Sequence, residues 1–167
     1  IWTIEQDAEW HQADSMDTLS QRQRAACYGK GYYVMAGLNG EIAYSQNGSS
    51  WTEIPSFTNG VITGLAYGNG CFMAIDYNGT VYKATDPTGE WTLVYTAAQK
   101  LESVRFNNNV FMIVGENGFV ATSNDGSAWT VANAITALTL IDSAYGNSYY
   151  IVVGNNGTVY RSMNLTD

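Results

Sequence analysis

Apolar residues along this chain come in short runs broken by glycine and asparagine, and the runs recur at a fixed interval. Tyr28, Tyr67, Phe106 and Tyr145 stand in register, each 39 residues after the last. Each is followed by a strongly apolar run that ends on Asn39-Gly40, Asn78-Gly79, Asn117-Gly118 or Asn156-Gly157. A second, shorter run then begins near Ile42, Val81, Val120 or Val159, and the first three copies close on Trp51, Trp91 and Trp129. The fourth copy reaches Asp167 before its tryptophan. A shared period of this length marks a repeat architecture.

Each unit predicts four short strands, a to d. In the first copy a carries Tyr28, b runs from Tyr32 to Gly37, c from Glu41 to Ser45, and d starts at Trp51. Asn-Gly between b and c predicts a two-residue hairpin with positive φ at both turn positions. Strand b is apolar at nearly every position, as in Val110-Phe111-Met112-Ile113-Val114. A half-exposed strand would alternate, so b is expected to be covered on both faces, as in a propeller blade. The expected fold is all-β, a β-propeller of four-stranded antiparallel blades with about four 39-residue repeats. It forms one domain over 1–167, with repeats near 25–63, 64–102, 103–141 and 142–167 and a partial repeat in 1–24. Asp17 to Ala26, the best helical candidate, is short and polar and reads as a connector. Trp10 could supply the strand d missing from the fourth copy; the alternative is a larger ring completed by a second chain or by a longer parent protein.

The turn Ser123-Asn124-Asp125-Gly126-Ser127-Ala128-Trp129 resembles the Asp-box of the BNR repeat family. Ser45-Gln46-Asn47-Gly48-Ser49-Ser50-Trp51 matches it with Asn for Asp, and Ala84 to Trp91 is a looser copy with one residue inserted. Gln6-Asp7-Ala8-Glu9-Trp10 looks like the tail of a fifth. The resemblance implies a β-propeller or related β fold and a structural role for the motif: a side-chain oxygen holds turn amides while the tryptophan anchors the outer strand. A sialidase-like member would also bring an arginine cluster and a Tyr/Glu pair. Here Arg22, Arg24, Arg105 and Arg161 do not fall at equivalent repeat positions.

Composition narrows the functional classes. Net charge is −8 with only 13% charged residues, which disfavours nucleic acid and anionic membrane surfaces. Apolar stretches are strand-sized, well short of the ~18 residues of a membrane helix. Two cysteines, Cys27 and Cys71, and a single histidine, His11, make neither a zinc site nor a catalytic triad. The cysteines read as buried thiols, with a bridge between neighbouring repeats as the alternative. No metal, cofactor or catalytic set is expected. A hydrolytic carboxylate pair would have to come from Asp76 and Glu116, which read first as solvated turn acids. The chain opens on Ile1-Trp2-Thr3, which reads as a processed protein or part of a longer one. An extracellular, surface or virion location is the accompanying expectation.

Most of the 12 tyrosines and the repeated asparagines are accounted for by core and turn positions. The four Asn-x-Ser/Thr sequons likewise read as turn composition. The residues that vary between copies are Leu38, Tyr77, Glu116 and Asn155 in the b–c turns, together with Phe57, Asn59 and Tyr95 in the d–a connections. These loops emerge on one rim of a four-stranded meander. The candidate ligand site is therefore Asp76, Tyr77, Glu116, Asn155, Phe57 and Tyr95. Asp76 is singled out because its equivalents are Gly37, Gly115 and Gly154. The expected function is a non-catalytic binding module for a glycan or a protein. The alternatives are an assembly subunit, including self-association to complete a ring, and a glycoside hydrolase or sialidase-like enzyme.

Overall fold

The computed structural model describes residues 22–165. Four antiparallel sheets follow one another along the chain. Sheet 1 is β1 (Gln23–Gly29), β2 (Tyr32–Gly37), β3 (Ile42–Ser45) and β4 (Thr52–Ile54). Sheet 2 is β5 (Ile62–Gly68), β6 (Cys71–Asp76), β7 (Thr80–Ala84) and β8 (Thr92–Thr96). Sheet 3 is β9 (Leu101–Asn107), β10 (Val110–Gly115), β11 (Val120–Ser123) and β12 (Thr130–Val131). Sheet 4 has three described strands, β13 (Leu140–Gly146), β14 (Tyr149–Gly154) and β15 (Val159–Ser162). Every sheet is a meander in which sequence neighbours pair, and each first strand carries a register shift near its start.

The sheets stack face to face. Their first strands β1, β5, β9 and β13 pack side by side in that order. Among the described residues β13 and β1 make no comparable packing, so the row is open. Because strand side chains alternate, β10 sends Phe111 and Ile113 toward sheet 2 and Met112 and Val114 toward sheet 4. Likewise β6 sends Phe72 and Ala74 toward sheet 1 and Met73 and Ile75 toward sheet 3. Three apolar layers result, one at each junction. Full burial of a side chain such as Phe72 or Ile113 is worth about 1.5–3 kcal/mol, so the junctions hold the stack together.

Several sequence expectations change. Strand b is covered on both faces in sheet 2, where all six β6 residues are buried, but β2 and β14 are partly open because their sheets end the row. Residues 23–26 are not connector but the start of β1; residues 17–21 and the Trp10 segment lie outside the described residues. The outer strands begin one residue after their tryptophans. The two thiols are unbridged: Cys27 packs into the junction of sheets 1 and 2 and Cys71 into that of sheets 2 and 3.

The Asn-Gly hairpin forms as expected in sheets 1, 3 and 4, where Asn39, Asn117 and Asn156 take φ of 57°, 55° and 57° and their glycines are also positive. Sheet 2 differs. There only Gly79 is positive, at φ 97°, and its N–H donates to the Asp76 carbonyl rather than closing one residue later. Asp76 is the physical reason: its Oδ1 accepts from the backbone N–H groups of Asn78 (2.9 Å) and Thr80 (3.1 Å) and fixes a different turn.

Candidate functional site

The b–c turns and d–a connections do share one rim. In sheets 1 to 3 the turn glycine lies against the connection that follows it, Gly40 against the Thr58 carbonyl, Gly79 against Ala97 and Gln99, and Gly118 against Thr136. Ala97 N–H donates to the Gly79 carbonyl and Gly118 N–H to the Leu138 carbonyl, both at 2.8 Å. The rim is thus fastened by backbone, leaving side chains at the turn tips to vary.

Tyr77 and Glu116, 39 residues apart, are brought together by a residue that sequence reasoning passed over. Lys100 precedes β9, and its Nζ lies 4.7 Å above the Tyr77 ring, 3.3 Å from the Tyr77 hydroxyl and 3.5 Å from Glu116 Oε1. The Tyr77 hydroxyl, followed by the Glu116 carboxylate, raises the Lys100 pKa, so the ammonium stays charged. Glu102, the second residue of β9, has a raised pKa: burial dominates and Glu116 adds to it, against the lowering influence of Arg24 and Lys100. The rim between sheets 2 and 3 therefore carries an aromatic and an acid joined by one cation.

The other predicted site residues are placed elsewhere. Asp76 is 2% exposed; besides its two turn amides it accepts the Thr58 hydroxyl at 3.0 Å, so its carboxylate is enclosed in the turn. That geometry removes Asp76 as one half of a hydrolytic pair with Glu116. Phe57 stacks on Trp91 (centroids 5.1 Å, 16° between planes) and against Tyr82, inside the junction of sheets 1 and 2. Tyr95 packs into the next junction near Trp129. Asn155 is exposed at the turn tip of sheet 4.

A second group lies on the first strands. Arg24, Thr63, Leu65, Ser103 and Arg105 line a depression of about 260 Å³ across β1, β5 and β9. Arg105 makes a bidentate pair with Asp142, Nε to Oδ1 at 2.8 Å and Nη2 to Oδ2 at 2.7 Å, and the Ser103 hydroxyl donates to Oδ1 at 2.7 Å. Burial raises the Asp142 pKa, but the hydrogen bonds from Arg105, Ser103 and the Ser143 N–H outweigh it and the net shift is downward. Arg24 and Arg105 hold different repeat positions, which hid their convergence; the signal available was that both sit on the polar-substituted first strands.

The turns resembling Asp-boxes are structural in geometry. Asp125 Oδ1 accepts from Ser127 N–H (2.8 Å) and Ala128 N–H (3.0 Å), while Ser123 Oγ accepts from Gly126 N–H (2.9 Å). Trp51 and Trp91 donate their indole N–H groups back to Gly48 and Pro87 carbonyls.

No protein-family profile matches the chain, and no curated protein does. Solved structures are similar to it. A structure of YCF48 bound to D1 peptide is 17% identical and superposes with a TM-score of 0.68, covering 93% of this chain and 54% of that one. The computationally designed Ika4 protein is 12% identical with a TM-score of 0.72, covering 92% of this chain and 98% of that one. YCF48 from Cyanidioschyzon merolae is 11% identical with a TM-score of 0.67, covering 84% and 52%. The chain spans about half the length of the two YCF48 chains. At these identities the likeness concerns the fold alone, and with the sheet order above it makes this an all-β chain built as a row of propeller-like blades.

Proposed function

We propose that the chain is a non-catalytic binding module whose rim takes a segment of a protein partner between sheets 2 and 3. The observation that carries this reading is the Tyr77–Lys100–Glu116 cluster, in which residues from two sheets meet on a rim fastened by backbone hydrogen bonds. A polypeptide offers carbonyls to Lys100, amides to Glu116 and side chains to the Tyr77 edge. A glycan is the weaker fit, because the Tyr77 face on which a sugar would stack is covered by Lys100. The non-catalytic part is supported by commitment of carboxylates to structure: Asp76 and Asp125 hold turns and Asp142 pairs with Arg105. The solved complex of YCF48 with a peptide is a precedent for this fold holding polypeptide.

The test is a random-peptide library and a glycan array probed in parallel with the wild-type chain and a Lys100→Ala, Glu116→Gln variant. Peptide hits whose affinity falls at least about tenfold in the variant, with an unchanged melting curve, are expected. Glycan hits without peptide hits, or peptide binding indifferent to both changes, overturn the reading. An assembly role has one observation in its favour, the open apolar faces at the two ends of the row.

A further inference from the structure

Neighbouring sheets are joined by a set of contacts that recurs with the repeat. A Cβ at Gly29 would fall inside the Tyr67 ring, and one at Gly68 inside the Phe106 ring, so glycine lets the lead aromatic of the next sheet lie directly on the backbone. That aromatic is paired in every sheet with one on the second strand: Tyr28 with Tyr33 (4.7 Å), Tyr67 with Phe72 (4.6 Å), Phe106 with Phe111 (4.7 Å) and Tyr145 with Tyr150 (4.6 Å). The a–b turn then reaches the Ser-x-Asp-like turn of the next sheet. Lys30 Nζ donates to the Thr85 carbonyl at 3.1 Å and Asn69 Nδ2 to the Asn124 carbonyl at 2.6 Å, donor and acceptor both at equivalent positions. From β7, Lys83 Nζ also reaches Asp125 O and Ser127 Oγ, both at 2.8 Å. The junction of sheets 3 and 4 is a variant, with Asn107 in the glycine position and Asn108 Nδ2 donating to the Tyr150 hydroxyl at 3.0 Å.

Both halves of this junction are present at the ends of the row, unmatched among the described residues. Sheet 4 offers Gly146, beside which a Cβ would meet nothing within 4 Å. Asn147 is exposed at the position of Lys30 and Asn69, and Arg161 stands at that of Lys83. Val153 and Val159 are 39% and 64% exposed, although their equivalents Ile75 and Val81 are fully buried. Sheet 1 offers Tyr33, 44% exposed where its equivalents Phe72 and Phe111 are fully buried, Tyr28, 59% exposed where Tyr67 and Phe106 are half-buried, and an exposed Gln46 at the position of Thr85 and Asn124.

We propose that sheet 4 of one chain docks on sheet 1 of a second copy, with the Tyr28 ring on Gly146 and the Asn147 amide on the Gln46 carbonyl. The contact continues the interface that already joins sheets 1 to 2 and 2 to 3. The occupant is a second copy because the chain's own β1 and β13 stand apart, at opposite ends of the row. Head-to-tail contacts of this kind close into a ring when the rotation allows and otherwise extend into a filament.

Sedimentation equilibrium of the chain over a wide concentration range tests this, with Gly146→Leu and Tyr28→Ala alongside. The wild type is expected at twice the 18.2 kDa chain mass or higher, and both variants at least about tenfold weaker in association. Gly146→Leu should keep its melting temperature when dilute, because the site is empty and its backbone is not in the left-handed region. A wild type at single-chain mass throughout overturns the proposal, and in that case a lowered melting temperature in both variants assigns the contact to closure within one chain. Association that survives both substitutions also overturns it, placing the interface elsewhere.

Discussion

Asp125 and Asn47 perform the same task with different charge. Asn47 Oδ1 accepts from Ser49 and Ser50 N–H groups at 2.9 Å each, matching Asp125 Oδ1 with Ser127 and Ala128. Either acceptor therefore builds the turn, and the charge strengthens it. Asp125→Asn should lower the melting temperature at neutral pH less than Asp125→Ala does.

Asp125 also sets a pH dependence. Hydrogen bonds from the backbone of Ala128 and Ser127 and from the Ser123 hydroxyl pull the Asp125 pKa down to about 2 from an ordinary 3.8. A folded-state pKa below the unfolded one contributes stability that is present above the ordinary value and lost as pH falls toward the folded one. Thermal melts between about pH 4 and about pH 2 should show a shallower loss for Asp125→Asn than for wild type. An identical slope would contradict the assignment.

The four Asn-Gly turns should not respond alike to alanine. Asn39 takes φ 57°, where an alanine costs about 1–2 kcal/mol, whereas Asn78 lies outside the left-handed region and its turn is held by Asp76. Urea denaturation should therefore show Asn39→Ala destabilised by about that amount and Asn78→Ala by no more than about 0.5 kcal/mol.

Trp91 is 6% exposed, stacked on Phe57 and tied to the Pro87 carbonyl. Trp91→Ala should cost about 3–5 kcal/mol in a urea titration. A loss below about 1 kcal/mol would show that the junction of sheets 1 and 2 does not depend on it.

Burial pushes the Cys27 thiol up to about 12. With so little thiolate, Cys27 should resist a disulfide-exchange reagent at mildly alkaline pH and react at the rate of unfolding. Mass spectrometry of protein labelled with and without urea reads the difference.

The repeat, the hairpins and the junction aromatics were legible because each is a local pattern repeated at one spacing. What escaped was what depends on a neighbouring sheet. Asp76 breaks a run of glycines and so looked like an added function, yet its carboxylate serves the turn that its presence creates. Phe57 and Tyr95 vary between copies and so looked free for a ligand, yet each packs into a junction between sheets. Lys100 sits one residue ahead of a strand in no motif, and only stacking sheets 2 and 3 sets it between Tyr77 and Glu116.

The junctions, two of them glycine-on-aromatic, couple each described sheet chiefly to its neighbours. A molecule built this way behaves as a short linear chain of coupled units, so its stability is a sum of unit and neighbour contributions, and its ends open first. Amide exchange should accordingly be slowest in β6 and β10, which have junctions on both sides, and faster in β2 and β14, which have one. Any substance that covers the outer faces of sheets 1 and 4 would slow exchange there by removing the ends themselves.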